Sequence, residues 1–309
     1  MTAAAPAVPT PGGGSAVVRR FVRRNGWNLT LLLLGGMFVF TKMIQPNYGA
    51  AAFGVLVLAA MPYAFATAGQ SIAIIAGGID LSMAAMMTLL SVTAAALMDG
   101  QGEAFGIVAV VLVLLMGLVV GAINGLSVVL TRVPDIVVTL SFFFIWEGAA
   151  LLILDAPGGA ASQWLKDLLI GTAGADFIPT AISQWAPKAL ILLVVALGVV
   201  WIPLRRSRQG LALYAIGSDK LAAQRSGVPV NRTKVGSYAR AGLFAAMGGL
   251  VLTMSTGIGT PMQGPYLIAS VAAAVLGGVS LAGGKGGLFG PIIAVFILRL
   301  ARQDLTLMS

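Results

Sequence analysis

The sequence predicts an all-α, polytopic membrane protein, and three observations carry that prediction. Of its 309 residues, 58% are hydrophobic and only 9% are charged, whereas a soluble domain carries about 25% charged residues. Mean hydropathy is +0.96. The apolar residues also fall into runs close to the ~20 residues that a helix needs to cross a bilayer. These runs are 27–45, 51–67, 69–98 (interrupted by Gly77-Gly78), 104–130, 136–154, 188–204, 236–256, 266–282 and 288–301.

Charge orients the runs. Residues 1–26 open on MTAAAPAVPTPGGGS, a composition that buries too little apolar surface to order itself, and continue with Arg19, Arg20, Arg23 and Arg24. No small-residue cleavage site follows, so 27–45 is expected to be a retained span behind a disordered, basic, cytoplasmic N-terminus. Six crossings then return the chain to the cytoplasm at 205–235, where seven cations (Arg205, Arg206, Arg208, Lys220, Arg225, Arg232, Lys234) face one acid, Asp219. The loop 155–187 falls on the outer, periplasmic side and has the opposite bias, with Asp155, Asp167 and Asp176 against Lys166. The net charge of +9 therefore reads as the positive-inside signal and not as a nucleic-acid surface. With no Cys and no His, the chain has no disulfide, no thiolate or imidazole metal ligand and no imidazole base, and no catalytic residue, metal or cofactor is assigned to it.

Within the third run, Gly77-Gly78-Ile79-Asp80-Leu81-Ser82 places a carboxylate in an apolar region. The glycines free the backbone to break the helix. Asp80 can cap the helix restarting at Leu81, or it can line a translocation path, since intramembrane carboxylates usually face the bundle interior or a water-filled cavity. The segment Ala73–Ser82 has a counterpart 200 residues on, Ala273–Ala282, with Gly277-Gly278 and neutral Ser280 in the places of Gly77-Gly78 and Asp80. Counting crossings puts the two copies in opposite orientation, as in the inverted repeats of transporters.

In the fourth run, Gly121-Ala122-Ile123-Asn124-Gly125 supplies small residues for close helix packing. Its amide serves an interhelical hydrogen bond or a pathway contact. Pro134 and Thr139 open the fifth run, and Glu147 near its end can snorkel to the interface. In the 205–235 island, Ser218 or Asp219 can cap a helix over Lys220–Ser226 that Gly227 closes, with Pro229 just beyond. Ala222 and Ala223 give that helix a shallow face for a partner's groove. Gly217 precedes it. Gly283-Gly284-Lys285-Gly286 is not a phosphate loop, because Val279 and Gly286 stand where that motif needs Gly and Ser/Thr; a tight cytoplasmic turn is expected. If the fifth run has a counterpart in the second half, it would follow residue 301. Nine spans would also leave Arg299 and Arg302 outside, so a further C-terminal helix, or an incomplete last crossing, is expected.

Together, GGIDLS (77–82), GAINGL (121–126), VPDIVVTL (133–140), GLALYAIGSDKLAAQRSGVPV (210–230) and VLGGVSLAGGKGGLFGP (275–291) resemble the permease subunits of ribose-type, monosaccharide ABC importers, relatives of the branched-chain amino-acid permeases. The resemblance runs from about residue 50 to 301. It implies a homodimeric pore in the bacterial inner membrane with about ten spans per subunit, about nine of them present here. It also implies a cytoplasmic ATP-binding subunit docked on Gly217, Ser218, Asp219, Ala222, Ala223, Ser226 and Gly227, and a periplasmic solute-binding protein outside. Gly77, Gly78, Asp80, Ser82, Asn124, Thr139, Gly277, Gly278 and Ser280 become candidates for the pathway and its broken helices. The chain departs from the family in having Glu147 where many members have Arg, and Leu267 and Ala269 where many have acids. The cargo reads as a sugar or similar small polar solute. A branched-chain amino acid or a sugar-like signal molecule is the alternative within the class, and a secondary transporter is the alternative outside it.

Overall fold

The computed structural model describes residues 27–172 and 183–308. The N-terminal segment 1–26, and 173–182 of the 155–187 loop with Asp176, lie outside the described residues. In chain order the helices are α1 (Trp27–Ile44), α2 (Ala50–Ile75), α3 (Met83–Met98), α4 (Phe105–Thr131), α5 (Asp135–Ile153), α6 (Gln163–Leu169), α7 (Lys188–Arg206), α8 (Arg208–Ser218), α9 (Lys220–Arg225), α10 (Val230–Thr256), α11 (Tyr266–Leu276) and α12 (Phe289–Met308). Six of these (α1, α2, α4, α5, α7 and α10) are long and apolar enough to cross a membrane, while α3 and α11 are shorter apolar helices. The protein is an all-helical, multi-pass membrane protein.

α10 is the centre, packed on α2, α3 and α4. Its contact with α4 is backbone on backbone. Gly117, Gly121 and Gly125 recur every fourth residue, one face of a helix. A Cβ on Gly121 would lie 3.0 Å from the Gly242 Cα, and one on Gly125 would lie 2.9 Å from the Cβ of Tyr238. Small residues at this spacing let membrane helices approach without intervening side chains. Ser91 and Thr253 share a buried hydrogen bond of 2.9 Å between α3 and α10. Around them Met61, Phe65, Met86, Met87 and Phe244 form the apolar core.

The second and third runs divide differently from the sequence expectation. No boundary falls between 67 and 69, and α2 continues to Ile75. Gly69 serves close packing instead of a turn: a Cβ there would stand 2.9 Å from Ala241 O and 3.2 Å from the Phe244 Cβ. The break at 76–82 consequently lies at the end of one crossing rather than within the next. α3, with 16 residues, is about 24 Å long.

That shift of boundary corrects the orientation of the two Gly-Gly copies. Tyr63 of α2 lies 4.8 Å, ring to ring, from Tyr266 of α11, and the ends of both helices lead into loops that meet, where Gly284 N donates to Ile75 O at 3.0 Å. The two helices run side by side in the same direction and are not opposed. They also end alike, but one residue out of the expected register. Gly77 (φ +75°) and Gly278 (φ +90°) are the left-handed closing residues. Gly77 and Gly78 donate to Ile74 O and Ala73 O, as Gly278 and Val279 donate to Val275 O and Ala274 O, the paired bonds of a Schellman stop. Gly77 thus matches Gly278, and Asp80 matches Leu281, not Ser280.

Two polar residues of the last helix reach neighbouring helices. Arg299 lies over the ring of Tyr63 at 4.9 Å. Asp304, 2% exposed, accepts from Thr41 Oγ1 of α1 at 2.9 Å.

Candidate functional site

Three segments converge at the end of the bundle that carries α8 and α9. They are the α2–α3 break, the C-terminal end of α8, and the 277–288 loop. Gly217 is wedged among them: a Cβ there would run into Ile75 O and stand 2.6 Å from Gly284 N. Gly283 is equally confined, since its Cβ would lie 2.6 Å from Gly217 O and 3.0 Å from the Gly77 Cα. Gly283, Gly284 and Gly286 all have positive φ and fold 280–286 into a tight turn, with Ser280 N donating to Lys285 O at 3.2 Å. Ser280 does not cap a restarting helix, because the next one begins only at Phe289.

Beneath this junction lies a polar chain inside the bundle. Asp80, Ser82, Asn124 and Thr139 are all fully enclosed. Trp146 Nε1 donates to Asn124 Oδ1 at 3.0 Å. Asn124 Nδ2 donates to Ser82 Oγ at 2.6 Å. Ser82 Oγ, in turn, donates to Asp80 Oδ1 at 2.6 Å. The chain links α5, α4 and the α2–α3 break and ends on a carboxylate, an order in which each bond polarises the next. Asn124 is therefore an interhelical tie. Asp80 does not cap at Leu81, because the helix restarts at Met83. Its Oδ1 accepts from the N–H of Ser82 at 2.9 Å, closing a turn just ahead of the helix, and its Oδ2 has no hydrogen-bond partner. Gln70 brackets the same residue. In the amide orientation that satisfies both groups it donates to Asp80 O at 2.9 Å and accepts from Asp80 N at 3.2 Å. Thr139 Oγ1 accepts from Leu81 N at 3.0 Å and donates to Asp135 O at 2.9 Å.

Next to the chain, Asp135 pairs with Lys234 at 2.6 Å and accepts from Tyr238 OH at 2.7 Å. Both charged residues line a cleft of about 770 Å³, together with Gly77, Arg132, Gly217, Asp219, Lys220 and Asn231. α9 forms part of its wall. Of the two candidate caps, Asp219 takes the role: its Oδ1 accepts from Ala222 N at 2.9 Å, while Ser218 ends α8. Gly227 (φ +79°) closes α9, with Gly227 N and Val228 N donating to Gln224 O and Ala223 O. Ala223 does not offer the outward face expected of it. It is 6% exposed and packs inward, so the outward face of α9 belongs to Ala222, Leu221, which is 57% exposed, and Ser226.

The structure thus brings Gly77 together with Gly217, Gly78 against Asp135, Tyr238 and Lys234, and Asp80, Ser82 and Asn124 together with one another. Gly277 and Gly278 stand apart, where Gly277 is held against Gly290 and Pro291 at the start of α12. Sequence reasoning missed Gln70, Trp146, Tyr238 and the Asp135–Lys234 pair. A Gln within an apolar helix, and an acid and a base each flanking a span, are the signals that were available.

The family described as "Branched-chain amino acid transport system / permease component" matches residues 47–308. The chain belongs to that family. The permease is also 28% identical, over 299 residues, to the Autoinducer 2 import system permease protein LsrD of Escherichia coli (strain K12), covering 91% of this chain and 85% of the relative. The same protein of Shigella flexneri matches to the same extent, and that of Escherichia coli O157:H7 is 27% identical over the same length. No solved structure shows a significant match.

Proposed function

We propose that this permease is the membrane-spanning half of an ATP-driven, binding-protein-dependent importer for a sugar or similar small polar solute. One observation carries the reading: α8–α9, a capped and exposed helical segment, presses Gly217 directly onto the α2–α3 break at Gly77. A force applied to α9 from outside the bundle therefore has a short path to the helices that enclose Asp80 and Asn124. ATP would be hydrolysed by a separate subunit docked on the Leu221–Ala222 face, and the chain itself would do no chemistry. A second copy would complete the pore, and a periplasmic protein would deliver solute at the opposite end, near Gly257–Gly259. Arg132, Arg205, Arg206, Arg225, Arg232 and Lys285 cluster at or near the α9 end, which supports placing that end and the N-terminus in the cytoplasm. Among the possible cargoes, the relatives named as autoinducer 2 import permeases support a signal molecule, beside the branched-chain amino acid of the family description.

The test is native purification followed by reconstitution. The permease should co-purify with an ATP-binding subunit, and proteoliposomes holding both should take up solute only with ATP and a binding protein present. Uptake driven by an ion gradient without ATP would assign the chain to secondary transport instead.

A further inference from the structure

Lys234 does more than neutralise Asp135. Its Nζ also lies 3.1 Å from Gly77 O and 3.4 Å from Ala76 O, carbonyls at the end of α2. The last carbonyls of a helix lack intrahelical partners and carry the negative end of its dipole, so a cation there is favourable. One ammonium group thus joins the C-terminal end of α2, the first residue of α5 and the second turn of α10. Tyr238 OH, on the next turn of α10, adds its own bond to the same Asp135 oxygen. Gly78 leaves room for this convergence. A Cβ there would collide with Asp135 Oδ2 and stand 2.7 Å from Tyr238 OH and 2.8 Å from Lys234 Nζ.

The same short stretch is where α8 arrives. Gly217 abuts Ile75 O and Gly77, so a displacement of α8–α9 reaches Gly77 first. There the ion pair ties α5 and α10 to the end of α2, beside the Thr139–Leu81 bond of α5 and the packing of α10 along α2. Its side chains are 13% and 20% exposed and line the open cleft. Breaking a fully enclosed pair strands a dry charge, whereas this pair borders an open cleft from which water can reach either partner once they part, so opening it costs less than breaking an enclosed pair.

We infer that Asp135 and Lys234 form a positioning latch, holding α5 and α10 to the end of α2 and releasing them when α8–α9 shifts during transport. The inference rests on the reading of α8–α9 as the ATPase-docking segment.

The test uses the assembled importer in proteoliposomes. The double variant Asp135→Asn/Lys234→Met removes the pair while keeping similar volumes and leaving neither charge unmatched. It should lower solute transported per ATP hydrolysed by at least about fivefold, the low end of ordinary coupling factors, with hydrolysis itself retained. Lys234→Arg, which keeps the cation and its donors, should retain most of the coupling. Spin labels at Val133→Cys, in the turn that leads into α5, and Asn231→Cys, in the first turn of α10, both lining the cleft, should report a separation that differs between nucleotide-free and ATP-bound states. An unchanged solute-to-ATP ratio in the double variant overturns the latch. If that variant fails to assemble, a label separation in the otherwise unaltered permease that ignores nucleotide overturns it as well. A wild-type complex without ATP-dependent uptake would instead refute the importer reading beneath it.

Discussion

Replacing Asp80 by asparagine and by alanine separates two roles for a carboxylate enclosed at a helix break. Its Oδ1 receives the Ser82 N–H at 2.9 Å and the Ser82 hydroxyl at 2.6 Å, whereas Oδ2 is buried without a partner. In Asp80→Asn the amide oxygen can take the place of Oδ1 and accept both bonds, and the NH2 group occupies the side where the carboxylate gains nothing. Hydrogen bonds to a charged acceptor contribute about 1.5–3 kcal/mol each and neutral ones about 1 kcal/mol. The weakening of two bonds therefore costs about 1–4 kcal/mol, and removing a buried charge offsets several kcal/mol. The net change should fall within about 1–2 kcal/mol of zero. Asp80→Ala removes the same charge but leaves both Ser82 donors without their acceptor, at about 1–3 kcal/mol for each unsatisfied group, and should therefore be less stable than Asp80→Asn by roughly 2–6 kcal/mol. Denaturant titration of the purified permease in detergent, followed through tryptophan emission, measures both. Uptake by the reconstituted complex measures function, which Asp80→Asn should largely retain. An Asp80→Asn permease that folds, binds its ATPase and transports nothing would refute the structural reading and establish that the charge itself is required.

Asn124→Leu removes the bonds that Asn124 makes with Trp146 and Ser82. At the ~0.6 to ~1.7 kcal/mol measured for such bonds in membranes, it should cost roughly 1–3 kcal/mol in the same titration and shift the emission of Trp146; a change below about 0.5 kcal/mol would deny the chain a structural role. Ala222→Arg should leave the fold intact and abolish co-purification of the ATP-binding subunit, whereas Ala223→Arg should destabilise the permease itself, and equal behaviour of the two in a thermal-unfolding assay would contradict the orientation of α9. Cysteines at Ser226 and Asp155, introduced into a chain without native Cys, should be labelled by an impermeant maleimide from opposite faces of the membrane; labelling of both from one face would overturn the placement of the two ends.

Much of this was legible in the sequence because bilayers enforce it. Runs of apolar residues and the charge between them follow from the cost of placing peptide and ionic groups in hydrocarbon, so the all-helical class and most helix limits followed directly. The close of α9 was legible for a local reason: Asp219 and Gly227 act within one turn of their own positions. What failed was whatever depended on a distant partner. Gly69 looks like a boundary until Ala241 and Phe244 occupy the space beside it, and that single misplacement reversed the inferred direction of Gly77-Gly78. Ala222 and Ala223 are chemically equivalent and only tertiary packing sorts them. Asp135 and Lys234 are separated by most of one hundred residues, and no local pattern announces that they meet.

The backbone contact between α4 and α10 limits how the permease can change shape. Side chains between two helices act as bearings, which can exchange rotamers while the helices slide or roll. Between Gly121 and Gly242 there are none: Gly242 cannot gain even a methyl group without touching Gly121 N at 2.9 Å. Any roll about this seam would drive Ala122 or Tyr238 into the opposing main chain. α4 and α10 are therefore expected to travel as one solid block, carrying Asn124 and Lys234 at a fixed spacing. The moving joints of an alternating-access cycle then have to be the seams around that block, against α5 and the end of α2.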